Sequence, residues 1–202
     1  MIKRSILVFT EGSKTEPMYL THWRRLHCDR VSVVFDTFHA APLQLVERAA
    51  ARRAGELGKA RHGRAGAGAH DEYWCVFDVD EHPNIGAALD LAAARGIRVA
   101  VTNPCFEMWF LLHFQDRCAA IDRGDAQRRS SDLLGCGKVP TPAALADLTG
   151  RYEEARRRAR ALDSKHALDG SPPRSNPSSG IWRLIDRIRE PDRIHEQQLR
   201  AS

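Results

Sequence analysis

Two short acidic stretches carry the residue types needed to hold a divalent cation. TEGSKTE (residues 10–16) offers Glu11 beside Gly12, with Lys14 and Glu16 following; VFDVDE (76–81) offers Asp78, Asp80 and Glu81. Asp78 and Asp80 stand at i and i+2, which on extended backbone turns both carboxylates to one side and lets them share an ion. Hard carboxylate oxygens suit Mg2+ or Mn2+, ions that keep part of their water and bind substrate phosphates as well. Gly12 permits a sharp turn and a close approach to a phosphate. A D-x-D standing alone also serves as a turn and helix cap, so the decision rests on what precedes each cluster.

Each cluster directly follows a short apolar run. SILVF (5–9) predicts a first strand buried on both faces, Val31 to Phe35 a second, YWCVF (73–77) a third and Ile97 to Val101 a fourth. Between them stand helical signals: Thr15, Glu16 and Pro17 open a helix with Tyr19, Trp23 and Leu26 on one face, Pro42 opens another, and Ile85 to Ala92 forms a stripe closed by Gly96. Strands alternating with helices predict an α/β fold with a largely parallel sheet, in which ligands bind outside the carboxyl ends of the strands. Both acidic clusters fall there, which favours the metal reading. Other phosphate chemistries fail on order: EGSKTEP lacks P-loop spacing, a haloacid dehalogenase-type phosphatase places its D-x-D after the first strand, and a receiver domain wants an acidic pair there.

Asn103 and Pro104 predict an N-cap and first residue of a helix continuing through CFEMWFLLHF (105–114), apolar almost all round. Glu107 within it must be paired, protonated or facing a site. His113 is expected to be a satisfied core histidine, and Glu16 to serve the helix dipole. The last third reads as helical: one helix from Pro142 through Leu162, a Pro/Ser/Gly loop at 170–180, and a stripe of Ile181, Leu184, Ile185 and Ile188. The domain expectation is a core over residues 1–115 and a helical extension over 116–202 that packs on it.

The 202 residues carry 31 Lys plus Arg against 26 Asp plus Glu, a net charge of +5 that favours nucleic acid or nucleotide partners without demanding them. Part of the excess lies at residues 58–71, a Gly/Ala-rich stretch expected to be a flexible loop whose Lys59, Arg61 and Arg64 contact nucleic acid. The arginines of 156–160 are expected to form a solvated helix face. No apolar run approaches the roughly 20 residues of a membrane span, and the opening MIKRSILVF is too short for a secretory signal. A cytoplasmic protein with no membrane partner is expected. Five scattered cysteines without C-x-x-C predict reduced packing thiols.

A Glu-Gly turn after strand one with D-x-D after strand three resembles the Toprim domain of topoisomerases, primases and OLD-type nucleases. EGSKTEPMYL, VFDVDEH, NPCFEMWFLLHF and the late SNPSSGIWRLID together resemble the RloB family of prokaryotic defence proteins, over most of the chain. Where that family has a Lys-Lys pair, LLGCGKVP (133–140) keeps Lys138 alone. The resemblance implies a Toprim-like core and a metal-dependent nuclease acting as an anti-phage, abortive-infection effector. Mg2+ (or Mn2+) would be bound by Glu11, Asp78 and Asp80, with Glu11 as general acid or base or as ligand of a second ion. Glu107, Glu81 and Lys14 are further candidates. The implied partners are DNA or RNA, tRNA included, and an ATPase encoded nearby. The alternative is a nucleotide- or nucleic-acid-binding subunit regulating that ATPase; nucleotidyl transfer, as in primases, is a third reading.

Overall fold

The computed structural model describes residues 3–61, 68–79, 82–116 and 119–190. Among these residues five strands form one sheet in the order β2-β1-β3-β4-β5: β1 (Arg4–Thr10), β2 (Val31–Phe35), β3 (Glu72–Asp78), β4 (Arg98–Asn103) and the short β5 (Ser178–Ser179). The first four run parallel, and β5 pairs antiparallel with the end of β4, Thr102 opposite Ser179 and Asn103 opposite Ser178. The fold is therefore α/β, as the alternating pattern requires. β1 and β3 lie at the centre and are buried along nearly their whole length, whereas β2, at an edge, alternates buried and exposed.

Because side chains alternate along a strand, the sheet feeds two cores. Leu7, Phe9, Tyr73, Cys75, Phe77 and Val101 face α2 (Pro42–Arg61) and α3 (Ile85–Arg95). Ile6, Val8, Trp74, Val76 and Ala100 face the other layer, where α1 (Thr15–Leu26) and α4 (Glu107–Phe114) pack with later helices. Those are α5 (Arg123–Leu134), α6 (Pro142–Gly150), α7 (Tyr152–Leu168) and α8 (Ile181–Arg189). Leu162 of α7 and Ile181, Leu184, Ile185 and Ile188 of α8 share one core with Ile6, Tyr19 and Phe106.

Several boundaries differ from the sequence reading. The helix expected from Pro104 begins at Glu107; Asn103 completes β4, and its side-chain amide donates to the Arg174 carbonyl at 2.8 Å instead of capping. The helix α2 runs on to Arg61, so residues 58–61, read as loop, are helical; their Lys, Ala and Arg are strong helix formers and outweigh Gly58. The single helix expected from Pro142 breaks at Gly150 and Arg151 into α6 and α7. The late Pro/Ser/Gly segment yields β5, a strand too short for any periodicity to announce. Gly96 ends α3 in the left-handed conformation (φ 63°), as its position predicts. Cys75 and Cys105 are buried, and the described cysteines are free thiols; Cys118 lies outside the described residues.

Candidate metal and phosphate site

Strand adjacency assembles the site. Pairing of β1 with β3 sets Thr10 opposite Val76, and the chain leaving β1 stays on that register: the Glu11 N–H donates to the Val76 carbonyl at 3.0 Å. Glu11 Oε2 in turn accepts the Asp78 N–H at 3.1 Å, and its Oε1 accepts from His82 Nε2 at 2.8 Å. Glu11 and Asp78 thus meet at the carboxyl edge of the sheet's two central strands.

Two more acids join them from helix starts. Glu16, in the first turn of α1, accepts the Gly12 N–H at 3.1 Å. A Cβ at Gly12 would collide with the Glu16 carboxylate, which would have to move aside. Glu107 is the first residue of α4. Glu11, Glu16, Asp78 and Glu107 all line one cavity of about 510 Å³, together with Lys14, His39, Arg123, Gln127 and Lys138. Lys138 is held there because its carbonyl accepts from Thr15 Oγ1 at 3.1 Å. His39 Nδ1 donates to the Thr10 carbonyl at 2.9 Å, which fixes its ring on the rim.

Burial makes this gathering of acids costly. Asp78, Glu16 and Glu107 are only 9%, 8% and 5% exposed. Removal from water pushes Asp78 up to about 7, against the hydroxyl of Thr102, which donates to its Oδ1; Glu16, Glu11 and Glu107 raise it further. Thr102 can do this because it lies opposite Asp78 in the β3–β4 register. Glu16 is likewise raised, first by burial and then by Glu107 and Glu11, with its own and the Gly12 N–H opposing. A divalent cation would remove this repulsion, and an all-oxygen donor set is the type Mg2+ or Mn2+ selects. As the side chains stand, no three His, Cys, Asp or Glu among the described residues are spaced to grip one ion. Both oxygens of Glu11 and one of Glu16 are already engaged in hydrogen bonds. The residues fit such an ion in chemical type, with Asp78, Glu107 and Glu11 as the donors to hold it.

Of the residues singled out in the sequence, the structure therefore brings together Glu11, Asp78, Glu107 and Lys14, while Asp80 and Glu81 lie outside the described residues. The basic stretch is elsewhere. Helix α2 runs antiparallel to the strands it joins, so Lys59, exposed near its end, sits toward the amino edge of the sheet, away from the carboxylates. Arg61 ends α2, and its side chain, like all of Arg64, lies outside the described residues. The arginines of α7 are largely committed: Arg156 to Asp186, Arg157 to Glu154, and Arg158 to Asp116 and the Leu112 carbonyl. His113 is a core histidine, donating from Nδ1 to the Trp109 carbonyl, and burial lowers it to about 4.

Glu16, His82, Thr102 and His39 gain their roles from the structure. Only Glu16 carried a sequence signal, its position four residues after Gly12, where a carboxylate can reach back to a free N–H at a helix start. Among the described residues no helix is long and apolar enough to cross a membrane. The family model described as RloB-like protein matches residues 6–188. No curated protein and no solved structure matches the chain. The chain belongs to the RloB-like family, and the match covers nearly all of its residues.

Proposed function

As a member of the RloB-like family, the chain is, we propose, a metal-dependent nuclease that hydrolyses phosphodiester bonds as an anti-phage defence effector. The observation that carries this reading is the convergence of Glu11, Asp78, Glu16 and Glu107 on one cavity that Lys14, Arg123 and Lys138 also line. Bound Mg2+ would activate water and stabilise the leaving oxygen. The chain's own residues divide the remaining work. Lys14, Arg123 and Lys138 attract and orient the substrate phosphate, since ammonium and guanidinium groups pair with its oxygens. Thr102 fixes the Asp78 carboxylate through its hydroxyl, and His82 with the Asp78 N–H fixes Glu11, so two of the donors are positioned before any ligand arrives. His39, held by the Thr10 carbonyl through Nδ1, turns an unprotonated Nε2 outward when neutral and is placed to accept a proton at the rim.

The test is cleavage of DNA and tRNA panels with and without divalent cations, alone and with a neighbouring ATPase, using wild type and Asp78→Asn. The nuclease reading expects divalent-dependent cleavage by wild type and none by the variant. Tight binding without cleavage under every condition would instead support the reading as a nucleotide- or nucleic-acid-binding regulatory subunit of an ATPase.

A further inference from the structure

A second cavity, of about 310 Å³, lies where β5 turns into α8. It is lined by Ser178 and Gly180, by Arg174 and Arg183, and by Asp163 and His166 of α7, with Val99 and Val101 of β4 as its floor. None of these residues lines the carboxylate cavity. The register shows where Ser178 points: opposite Asn103, it shares the sheet face of Val101 and Val99, the valines of the floor. Its hydroxyl is buried, the residue being 2% exposed, and Oγ has no hydrogen-bond partner. A buried hydroxyl without a partner is costly to keep.

Three further features give the cavity a positive character. At the start of α8, a helix of 9 residues, the Ile181 N–H donates to Ser179 Oγ at 3.5 Å and the Arg183 N–H to the Gly180 carbonyl at 3.1 Å, while the positive end of the helix dipole faces the same turn. Arg174 makes no ion pair among the described residues, and its backbone holds a left-handed φ of 66°. Desolvation and then the charge of Arg183 depress its pKa, so the two guanidiniums are near enough to repel. Arg183 Nη2 is paired with Asp163 at 2.7 Å, which leaves one net positive charge at the cavity. Gly180 lets these groups close in, because a Cβ there would lie 3.1 Å from Arg183 Nη1 and 3.2 Å from the Val101 backbone. His166 serves as wall, its Nε2 donating to the Pro177 carbonyl at 2.9 Å.

We propose that this cavity binds the phosphate group of a small phosphorylated ligand no larger than a mononucleotide. The Ser178 hydroxyl and the Arg174 and Arg183 guanidiniums supply the donors. Its volume is that of the smallest ordinary ligand sites, roughly 300 Å³. The site is independent of the nuclease reading.

The test uses the full chain in EDTA, so that no divalent ion bridges phosphate to the carboxylates, at constant ionic strength. Inorganic phosphate and a nucleoside monophosphate are titrated separately, by calorimetry and by thermal shift, with chloride as control. Saturable binding is expected, with a rise in Tm that chloride does not give. Tighter binding of the monophosphate would mean that sugar or base also enters; equal binding would mean that phosphate alone is read. Arg174→Gly should weaken binding roughly tenfold, the loss of one charge-assisted contact. Its unliganded Tm should hold or rise, because glycine accepts the positive φ and keeps the carbonyl that Asn103 uses. Ser178→Ala should weaken binding without lowering the unliganded Tm, and Asp78→Asn should leave binding unchanged. The proposal is overturned if neither probe binds saturably at millimolar concentration, if both cavity variants bind like wild type, or if Asp78→Asn abolishes binding.

Discussion

Asp78 concentrates the chemistry of the first site and its cost in one side chain. In the folded chain its carboxyl titrates at about 7, against 3.8 for an ordinary aspartate, so between those values the native state keeps a proton that the unfolded chain has released. Metal-free stability should therefore fall as pH rises from about 4 to about 7 and level off above, by on the order of 4 kcal/mol from this group. Asp78→Asn removes the effect. Urea titrations should find variant and wild type alike near pH 4 and the variant more stable near pH 8, with Mg2+ raising the Tm of wild type only. A variant less stable than wild type at pH 8 would contradict this. Gly12→Ala tests the neighbouring contact: its methyl group displaces the Glu16 carboxylate and breaks the Gly12–Glu16 bond, for an expected loss of about 1–2 kcal/mol and weaker Mg2+ binding by calorimetry. Glu11, Asp78 and Glu107 were legible in the sequence because each is an acid next to, or inside, an apolar run. Thr102 and His39 were not, since their partners Asp78 and Thr10 lie 24 and 29 residues away and only strand and loop docking brings them together.

At the scale of elements, α1 and α4 matter most, for each carries an acid of the cavity in its first turn. They are tied by one buried bond, Trp109 Nε1 donating to the Tyr19 hydroxyl at 2.8 Å, within a cluster of edge-on rings that includes Phe106 and Phe110. Tyr19→Phe keeps the ring and strands the indole N–H, so it should cost about 1–3 kcal/mol in chemical denaturation. A variant as stable as wild type would show that the bond does not hold the two helices together. The four parallel strands could be read from the sequence because apolar runs bounded by turn residues leave little choice, and Gly96 marked a helix end through the conformation that only glycine adopts cheaply. The start of α4 was misplaced by one turn. Asn103 and Pro104 have the composition of a helix start, yet pairing with β5 keeps Asn103 in the sheet, and β5 is recruited from 75 residues further on.

Across the whole molecule, the carboxylates and Lys59 lie toward opposite edges of the sheet. Under the proposed nuclease activity, Lys59→Glu should leave the cleavage rate of a short oligonucleotide unchanged and weaken only substrates long enough to reach both edges; a slower short-substrate reaction would mean that the basic end feeds the carboxylate cavity after all. The sheet's second core joins early and late parts of the chain, with Ile181, Leu184, Ile185 and Ile188 in the same buried cluster as Tyr19 and Phe106. That packing bears on timing during synthesis. All four acids of the cavity have been polymerised once Glu107 is added, but α8, whose Ile181, Leu184, Ile185 and Ile188 share the core of α1 and α4, is made only later. A nascent chain thus carries all four acids of the cavity well before the last helix of the core that backs them has been made.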